Sequence, residues 1–242
     1  VAVAASTASA TIIMQDNFDS YANQAAFLAN WPSATTNQLQ LSTANFHSPG
    51  QSIFSSGDVG RRSTRTFPAQ NGTASNPLVA EFWMDVPATN GNARQYSEVR
   101  SYASDTCLVG ALEDLFAIGL NNAAPATAGF FQGRAAFSGV ATTGGWFNLT
   151  IPRSAGWHRF TMEFVGANTV NYYVDGVLGG SVVDTSGGIF SLDCFALGSG
   201  VSSNPAVPQN AYYDDVKIEV TPEPSSLALL GLGALGLIRR RR

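Results

Sequence analysis

The sequence predicts an all-β domain built from two packed antiparallel sheets, a β-sandwich, and three observations lead to this. Apolar and polar residues alternate with period 2 through most of residues 16–220, as in strands that bury one face. The chain carries 15 Phe, 7 Tyr and 4 Trp, which favour pleated, half-buried surfaces. Its 24 Gly and 11 Pro are spread along its length, as many short strands joined by turns require.

Two of the predicted strands carry polar and aromatic side chains on one face. Residues 77–86 and 96–102 both alternate strictly, and successive side chains point to opposite faces of a strand. The faces predicted to point away from the core carry Glu81, Trp83 and Asp85 on the first strand, and Tyr96, Glu98, Arg100 and Tyr102 on the second.

Other elements follow from local pattern. Residues 156–180 predict strand, turn, strand, turn, because Gly166-Ala167-Asn168 and Asp175-Gly176 interrupt alternating runs. A short helix is expected around residues 23–30. Residues 112–120 fit either a strand or a helical stripe, and we expect a strand in their second half.

The charge distribution argues against a nucleic-acid partner. The formal net charge is −4, and four of the 13 basic residues are Arg239, Arg240, Arg241 and Arg242. Residues 1–221 contain 9 basic and 16 acidic residues. Binding to phosphates requires a basic face, so we expect no nucleic-acid binding.

The cysteines and histidines do not predict a metal centre or a nucleophilic site. Cys107 and Cys194 are the only cysteines, and an even count in an exported protein permits one disulfide, with two buried free thiols as the alternative. A serine nucleophile elbow, G-x-S-x-G, does not occur, and His158 is predicted to face the core. Calcium is the one cofactor considered, through Asp175, Asp214 and Asp215, and no metal is the favoured expectation.

Both ends of the chain predict targeting segments. Residues 1–10 are small, apolar and uncharged and end on Ala8-Ser9-Ala10, which indicates the end of a signal peptide cleaved after Ala10. Residues 225–238 form a short apolar helix, about 21 Å long at 1.5 Å per residue, followed by four arginines that remain cytoplasmic. We expect transient membrane anchoring through this helix.

The tail, residues 221–242, closely resembles the PEP-CTERM sorting signal. The matching features are Pro222, Glu223 and Pro224, then the short Leu/Gly/Ala helix, then the arginine cluster Arg239, Arg240, Arg241 and Arg242. The resemblance implies a Gram-negative producer, processing by an exosortase, and placement at the cell surface or in the extracellular matrix.

The body, residues 11–220, resembles the laminin-G-like and concanavalin-A-like jelly rolls. The resemblance rests on the hairpin at residues 156–180, on Asp16-Asn17-Phe18-Asp19-Ser20-Tyr21 as a first strand, and on residues 211–218 as a last strand. It implies that the first and last strands pair. The family includes lectins, adhesion modules and glycoside hydrolases.

We expect this domain to bind extracellular polysaccharide. Aromatic rings suit the C–H face of sugars and arginines offer fixed hydrogen-bond donors, so the candidate binding residues are Trp83, Glu98, Arg100, Tyr102 and Arg134. If residues 77–86 and 96–102 are neighbouring strands, these side chains share one groove.

Two other functions stay open. One is a structural biofilm or matrix component with no small ligand. The other is a glycoside hydrolase or lyase. We expect no enzyme, because the nearest acidic pattern, Glu81 to Asp85, has Trp83 where the hydrolases of this shape have their central acid.

Overall fold

The computed structural model describes residues 9–87, 93–104, 106–121, 129–137, 145–185, 188–189, 191–201 and 210–221. Within them the chain forms fourteen strands and one short helix, α1 (Gln24–Asn30). In chain order, β1 to β14 span Thr11–Asp16, Gln40–Ser42, Ser52–Ser55, Ser63–Gln70, Leu78–Val86, Gln95–Tyr102, Leu112–Leu120, Phe130–Ala136, Trp146–Pro152, Gly156–Val165, Thr169–Val174, Val177–Val183, Leu192–Leu197 and Ala211–Val220.

The strands form two antiparallel sheets, which confirms the predicted β-sandwich. The first sheet has the order β12-β11-β10-β5-β14-β3-β2, with β1 also paired to β14. The second has the order β4-β13-β6-β7-β8-β9. Aromatic side chains fill the space between them: Phe82 of β5 contacts Phe195 of β13 edge to face at 6.1 Å, and Phe160 of β10 contacts Phe131 of β8 at 5.3 Å.

The alternation predicted for β5 has the expected register. Side chains at even positions from Leu78 to Val86 are almost fully buried, and those at odd positions are half-buried on the other face. The first and last strands pair, with Thr11 opposite Val220 and Asp16 opposite Val216. The first strand is Thr11–Asp16, so the prediction that it spans residues 16–21 is wrong except at Asp16, and Phe18 adopts a positive φ of 63° that leaves the strand. The two predicted turns after β10 and β11 also form, and Asp175 and Gly176 adopt the positive φ angles, 52° and 79°, that this turn requires.

Two local predictions concerned helices. The helix expected near residues 23–30 is α1, where the Asn23 side chain accepts a hydrogen bond from the Ala26 N–H as an N-cap. Residues 112–120 are a strand throughout, so the helical alternative is wrong for their first half. Pairing with β6 on one side and β8 on the other decides this segment.

The prediction that residues 77–86 and 96–102 are neighbouring strands is wrong. β5 lies between β10 and β14 in the first sheet, whereas β6 lies between β13 and β7 in the second. The chain therefore crosses from one sheet to the other between them. Sequential strands neighbour each other only about two-thirds of the time, and here the sandwich separates them.

The predicted signal peptide lies almost wholly outside the described residues, and so does the sorting tail with Pro222, Glu223, Pro224 and Arg239 to Arg242. Among the helices that the structure describes, none has the length and apolar character needed to cross a membrane.

Candidate functional site

Four of the five predicted binding residues lie on one face of the second sheet. This face points away from the core between the sheets, and we call it the arginine face. It consists of Tyr96, Glu98, Arg100 and Tyr102 on β6, Arg134 on β8 and Trp146 on β9. The register places Arg134 opposite Trp146 and also opposite Ala117 of β7.

A buried ion pair occupies the middle of the arginine face. One carboxylate oxygen of Glu98 accepts hydrogen bonds from Arg100 Nε at 2.9 Å and from Nη2 at 2.5 Å, and Arg100 Nη1 donates to the Tyr102 hydroxyl at 2.7 Å. Glu98 is 2% and Arg100 7% exposed. Burial alone would lower the pKa of Arg100, but the charge of Glu98 and the bonds to Glu98 and Tyr102 outweigh it, so this pKa lies above its usual value.

Several charged groups surround this pair. Arg62, which precedes β4, brings its Nε within 3.8 Å of the Glu98 carboxylate. Burial raises the pKa of Tyr96, the charge of Glu98 raises it further, and the guanidinium groups of Arg62, Arg134 and Arg100 lower it. Among the described residues, three arginines thus lie near Tyr96 and Glu98.

Aromatic rings border the charged groups. The Tyr96 and Trp146 rings pack at 4.6 Å with an interplanar angle of 58°. Both side chains are almost fully buried, at 5% and 7% exposure, so the arginine face is not an open surface. Tyr96 was predicted to lie on this face but not to belong to the site. Arg62 and Trp146 were not predicted at all, because no local pattern connects them to β6.

Trp83 is not part of the arginine face. It lies on the outer face of the first sheet, where the His47 ring stacks on it at 3.6 Å with an angle of 16°. His47 belongs to the β2–β3 loop, which folds over this sheet. The prediction of one groove shared by Trp83, Arg100 and Arg134 is therefore wrong.

The same loop engages two of the aspartates considered for calcium. The Asp214 carboxylate accepts hydrogen bonds from the backbone N–H groups of His47 and Ser48 at 2.9 and 3.0 Å, and His47 Nδ1 lies 2.7 Å from Asp215 Oδ2. Burial, then the neighbouring charge of Asp215, raises the pKa of Asp214 to about 6. Asp175 instead bonds His158. Among the described residues, no three His, Cys, Asp or Glu side chains group as a metal site.

The acidic pair considered for glycoside hydrolysis has other partners. Glu81 and Asp85 lie on one face of β5, and the Asp85 carboxylate accepts a hydrogen bond from Asn45 Nδ2 at 2.5 Å. Glu81 also lies within 3.9 Å of Lys217 and 3.6 Å of Arg159, as expected of a surface ion-pair group.

The disulfide borders the arginine face. The structure joins Cys107 to Cys194, with Cα atoms 4.8 Å apart. Cys194 lies opposite Arg100 in the β13–β6 pairing, so the bond ties the loop between β6 and β7 to this side of the second sheet.

Comparison with known proteins supports the two resemblances. Residues 220–242 match the model of the PEP-CTERM protein-sorting motif. The structure is similar to endo-1,3-beta-glucanase from Streptomyces sioyaensis, with TM-score 0.58 and 16% identity over 91% of this chain and 100% of that one. It is also similar to cellulose induced protein Cip1, with TM-score 0.56 and 13% identity over 85% and 96% of the two chains.

A third similar structure is a carbohydrate esterase from the Shiga toxin-encoding bacteriophage phi24B, with TM-score 0.55 and 14% identity over 88% of this chain and 100% of that one. No curated protein matches the sequence. Identities this low show the fold alone. The chain thus carries a PEP-CTERM sorting motif at residues 220–242, which follows a two-sheet jelly-roll β-sandwich.

Proposed function

We propose that this protein is exported, processed by an exosortase, and displayed at the surface or in the matrix of a Gram-negative bacterium, where its sandwich binds an extracellular polysaccharide at the arginine face. The binding proposal rests on the charged groups around Tyr96, which are Glu98 and the guanidinium groups of Arg62, Arg100 and Arg134. The rings of Tyr96 and Trp146 pack beside them. Guanidinium groups bind carboxylates in a fixed fork.

The charge balance favours an acidic polysaccharide over a neutral one. The body of the chain is acidic, with 9 basic and 16 acidic residues before residue 222, so general attraction does not bring an anionic polymer to it. The local group of three arginines supplies an attraction for anionic groups of the polymer instead. Affinity for a uronic-acid polymer should therefore exceed that for a neutral glucan and should fall as salt concentration rises.

The test compares two arginine variants of the full chain. Arg134→Gln removes a cation from the arginine face, and Arg159→Gln removes one from the outer face of the first sheet, where its side chain is 40% exposed. Binding to polygalacturonate and to a neutral β-glucan is measured by calorimetry. We expect Arg134→Gln to weaken polygalacturonate binding about tenfold, the equivalent of one charge-assisted contact, and Arg159→Gln to leave it unchanged. Equal effects of the two variants would show that the binding site is not the arginine face.

A structural matrix component that binds no small ligand is the second candidate. The deep burial of Glu98, Arg100 and Tyr102 favours it, because a fully packed face has no room for a ligand. Lack of binding to every acidic and neutral polysaccharide tried would select this function.

Processing of the tail is tested separately. The mass of protein recovered from the producer's surface should correspond to a chain that ends near Pro224, and recovery of chains that still carry Arg242 would contradict it.

A further inference from the structure

A serine, a histidine and an aspartate form a hydrogen-bonded series at one end of the sandwich. Ser154 lies in the connection between β9 and β10, His158 is the third residue of β10, and Asp175 lies in the turn between β11 and β12. Ser154 Oγ is 3.0 Å from His158 Nε2, and His158 Nδ1 is 2.7 Å from Asp175 Oδ2. These distances lie in the range that a nucleophile, a base and its orienting acid require.

The network determines which atom carries each proton. Because a carboxylate only accepts, the Nδ1 proton of His158 is donated to Asp175. Nε2 then carries a lone pair and accepts the hydroxyl proton of Ser154. This arrangement allows the imidazole to take the serine proton when the oxygen attacks.

Contacts around the aspartate and the imidazole keep this geometry in place. The other carboxylate oxygen of Asp175 accepts a hydrogen bond from the Arg159 N–H at 2.8 Å, and the Asp175 N–H donates to the Arg159 carbonyl, also at 2.8 Å. The Phe131 ring contacts the imidazole edge to face at 5.2 Å. The base is thus oriented before any substrate arrives, which is the arrangement catalysis favours.

Solvent exposure differs among the three side chains as a reactive site needs, with an accessible nucleophile and a sheltered base. Ser154 is exposed, whereas the side chain of His158 is only 13% exposed. The Asp175 side chain is 48% exposed, so water screens its charge more than it would a buried acid. Esters have better leaving groups than amides and demand less of the base, so they are the substrate class that we consider.

We propose that Ser154, His158 and Asp175 form an esterase site for short acyl esters. Ser154 Oγ attacks the acyl carbon while its proton moves to His158 Nε2. The bond to the alcohol oxygen breaks, that oxygen takes the proton from His158, and an acyl-serine remains. A water molecule then attacks the acyl carbon, gives its proton to His158, and releases the acid as the proton returns to Ser154 Oγ. The sum is ester plus water to acid plus alcohol.

This site is separate from the arginine face and does not depend on polysaccharide binding. It departs from the expectation that the chain has no serine nucleophile site, which rested on the missing G-x-S-x-G elbow and on the predicted position of His158 in the core. The imidazole does lie on the inward side of β10, against Phe131. Its position at the start of the strand nevertheless lets it reach both Ser154 and Asp175.

The experiment measures covalent labelling and turnover in the full chain. A fluorophosphonate probe reacts with activated serines, and peptide mapping identifies the modified residue. Hydrolysis of p-nitrophenyl acetate is measured for the wild type, for Ser154→Ala, and for Ser181→Ala as a matched control at another exposed serine. We expect labelling at Ser154 and a loss of about 100-fold or more in hydrolysis in Ser154→Ala only, the scale of general acid–base assistance.

Asp175→Asn separates catalysis from structure. The asparagine oxygen still accepts from the Arg159 N–H, but its amide donates to His158 Nδ1 and moves the ring proton to Nε2, which then cannot take the serine proton. Labelling and hydrolysis should fall while the melting temperature stays near that of the wild type. If Ser154 is not labelled, if hydrolysis persists in Ser154→Ala, or if Asp175→Asn remains fully active, the proposal is overturned and the three residues form only a structural contact.

Discussion

Replacement of Glu98 by Gln tests how completely the arginine face is buried. The Glu98 carboxylate is the partner of Arg100 through two hydrogen bonds and lies 3.8 Å from Arg62 Nε. Glu98→Gln keeps the shape of the side chain and removes its charge, so both guanidinium groups lose their counter-charge.

The expected loss follows from distance and burial. Two unit charges 4 Å apart attract by about 4 kcal/mol at an effective dielectric constant of about 20. Removal of one partner from a buried pair typically destabilises by about 3–5 kcal/mol, because the other charge stays buried without compensation. We therefore expect Glu98→Gln to lower the free energy of unfolding by about 3–5 kcal/mol, or the melting temperature by roughly 6–20 °C for a domain of this size.

The assay is urea unfolding followed by tryptophan fluorescence, in a cycle with Arg100→Met and the double variant. The matched control is Glu81→Gln, whose partner Arg159 is 40% exposed at 3.6 Å and which should change stability by less than about 1 kcal/mol. A coupling energy below about 1 kcal/mol between Glu98 and Arg100 would refute the reasoning. It would mean that solvent reaches the pair.

Three further variants probe other parts of the molecule. Trp83→Ala should destabilise by about 1–2 kcal/mol through loss of the stack with His47 and leave polysaccharide affinity unchanged; loss of binding would place the site on the first sheet. The folded-state pKa of Asp214, about 6, exceeds the unfolded value of 3.8, so its stabilising contribution is present below about pH 4 and lost as pH rises through about 6. Urea titrations should show the wild type losing stability relative to Asp214→Asn between about pH 4 and 7, and parallel curves would contradict this. Cys107→Ser should lower stability by about 4–5 kcal/mol, since the bond to Cys194 spans 87 residues, and free thiols in unreduced protein would exclude the bond.

Local pattern was sufficient to predict most of the strands and the inward residues of β5 and β6, although β6 is buried on both faces. The alternation along β5 and β6, the glycine turns after β10 and β11, and the pairing of β1 with β14 all depend on side chains close in sequence or on the family resemblance. A strand with one buried face has a strongly specified register, because a shift of one residue would expose every apolar side chain. The sorting motif is likewise a linear signal, and a match to residues 220–242 needs no fold.

The composition of the candidate sites depends on contacts that no local pattern encodes. Glu98, Arg100 and Arg134 come together because β6 and β8 flank β7, whereas Trp83 is separated from them because the chain changes sheets after β5. Ser154, His158 and Asp175 meet because the connection from β9 to β10, which crosses between the sheets, and the β11–β12 turn lie at the same end of the sandwich.

Alternation along a strand thus determines which face a side chain takes, since it depends only on backbone geometry. Strand order determines which faces meet, and it is set by the packing of the whole core. The sequence by itself therefore determined the sandwich, the inward and outward residues and the sorting tail. Only the tertiary structure decided that the arginines share one face, that His47 covers Trp83, and that the two histidines of the chain each bond an aspartate across the fold.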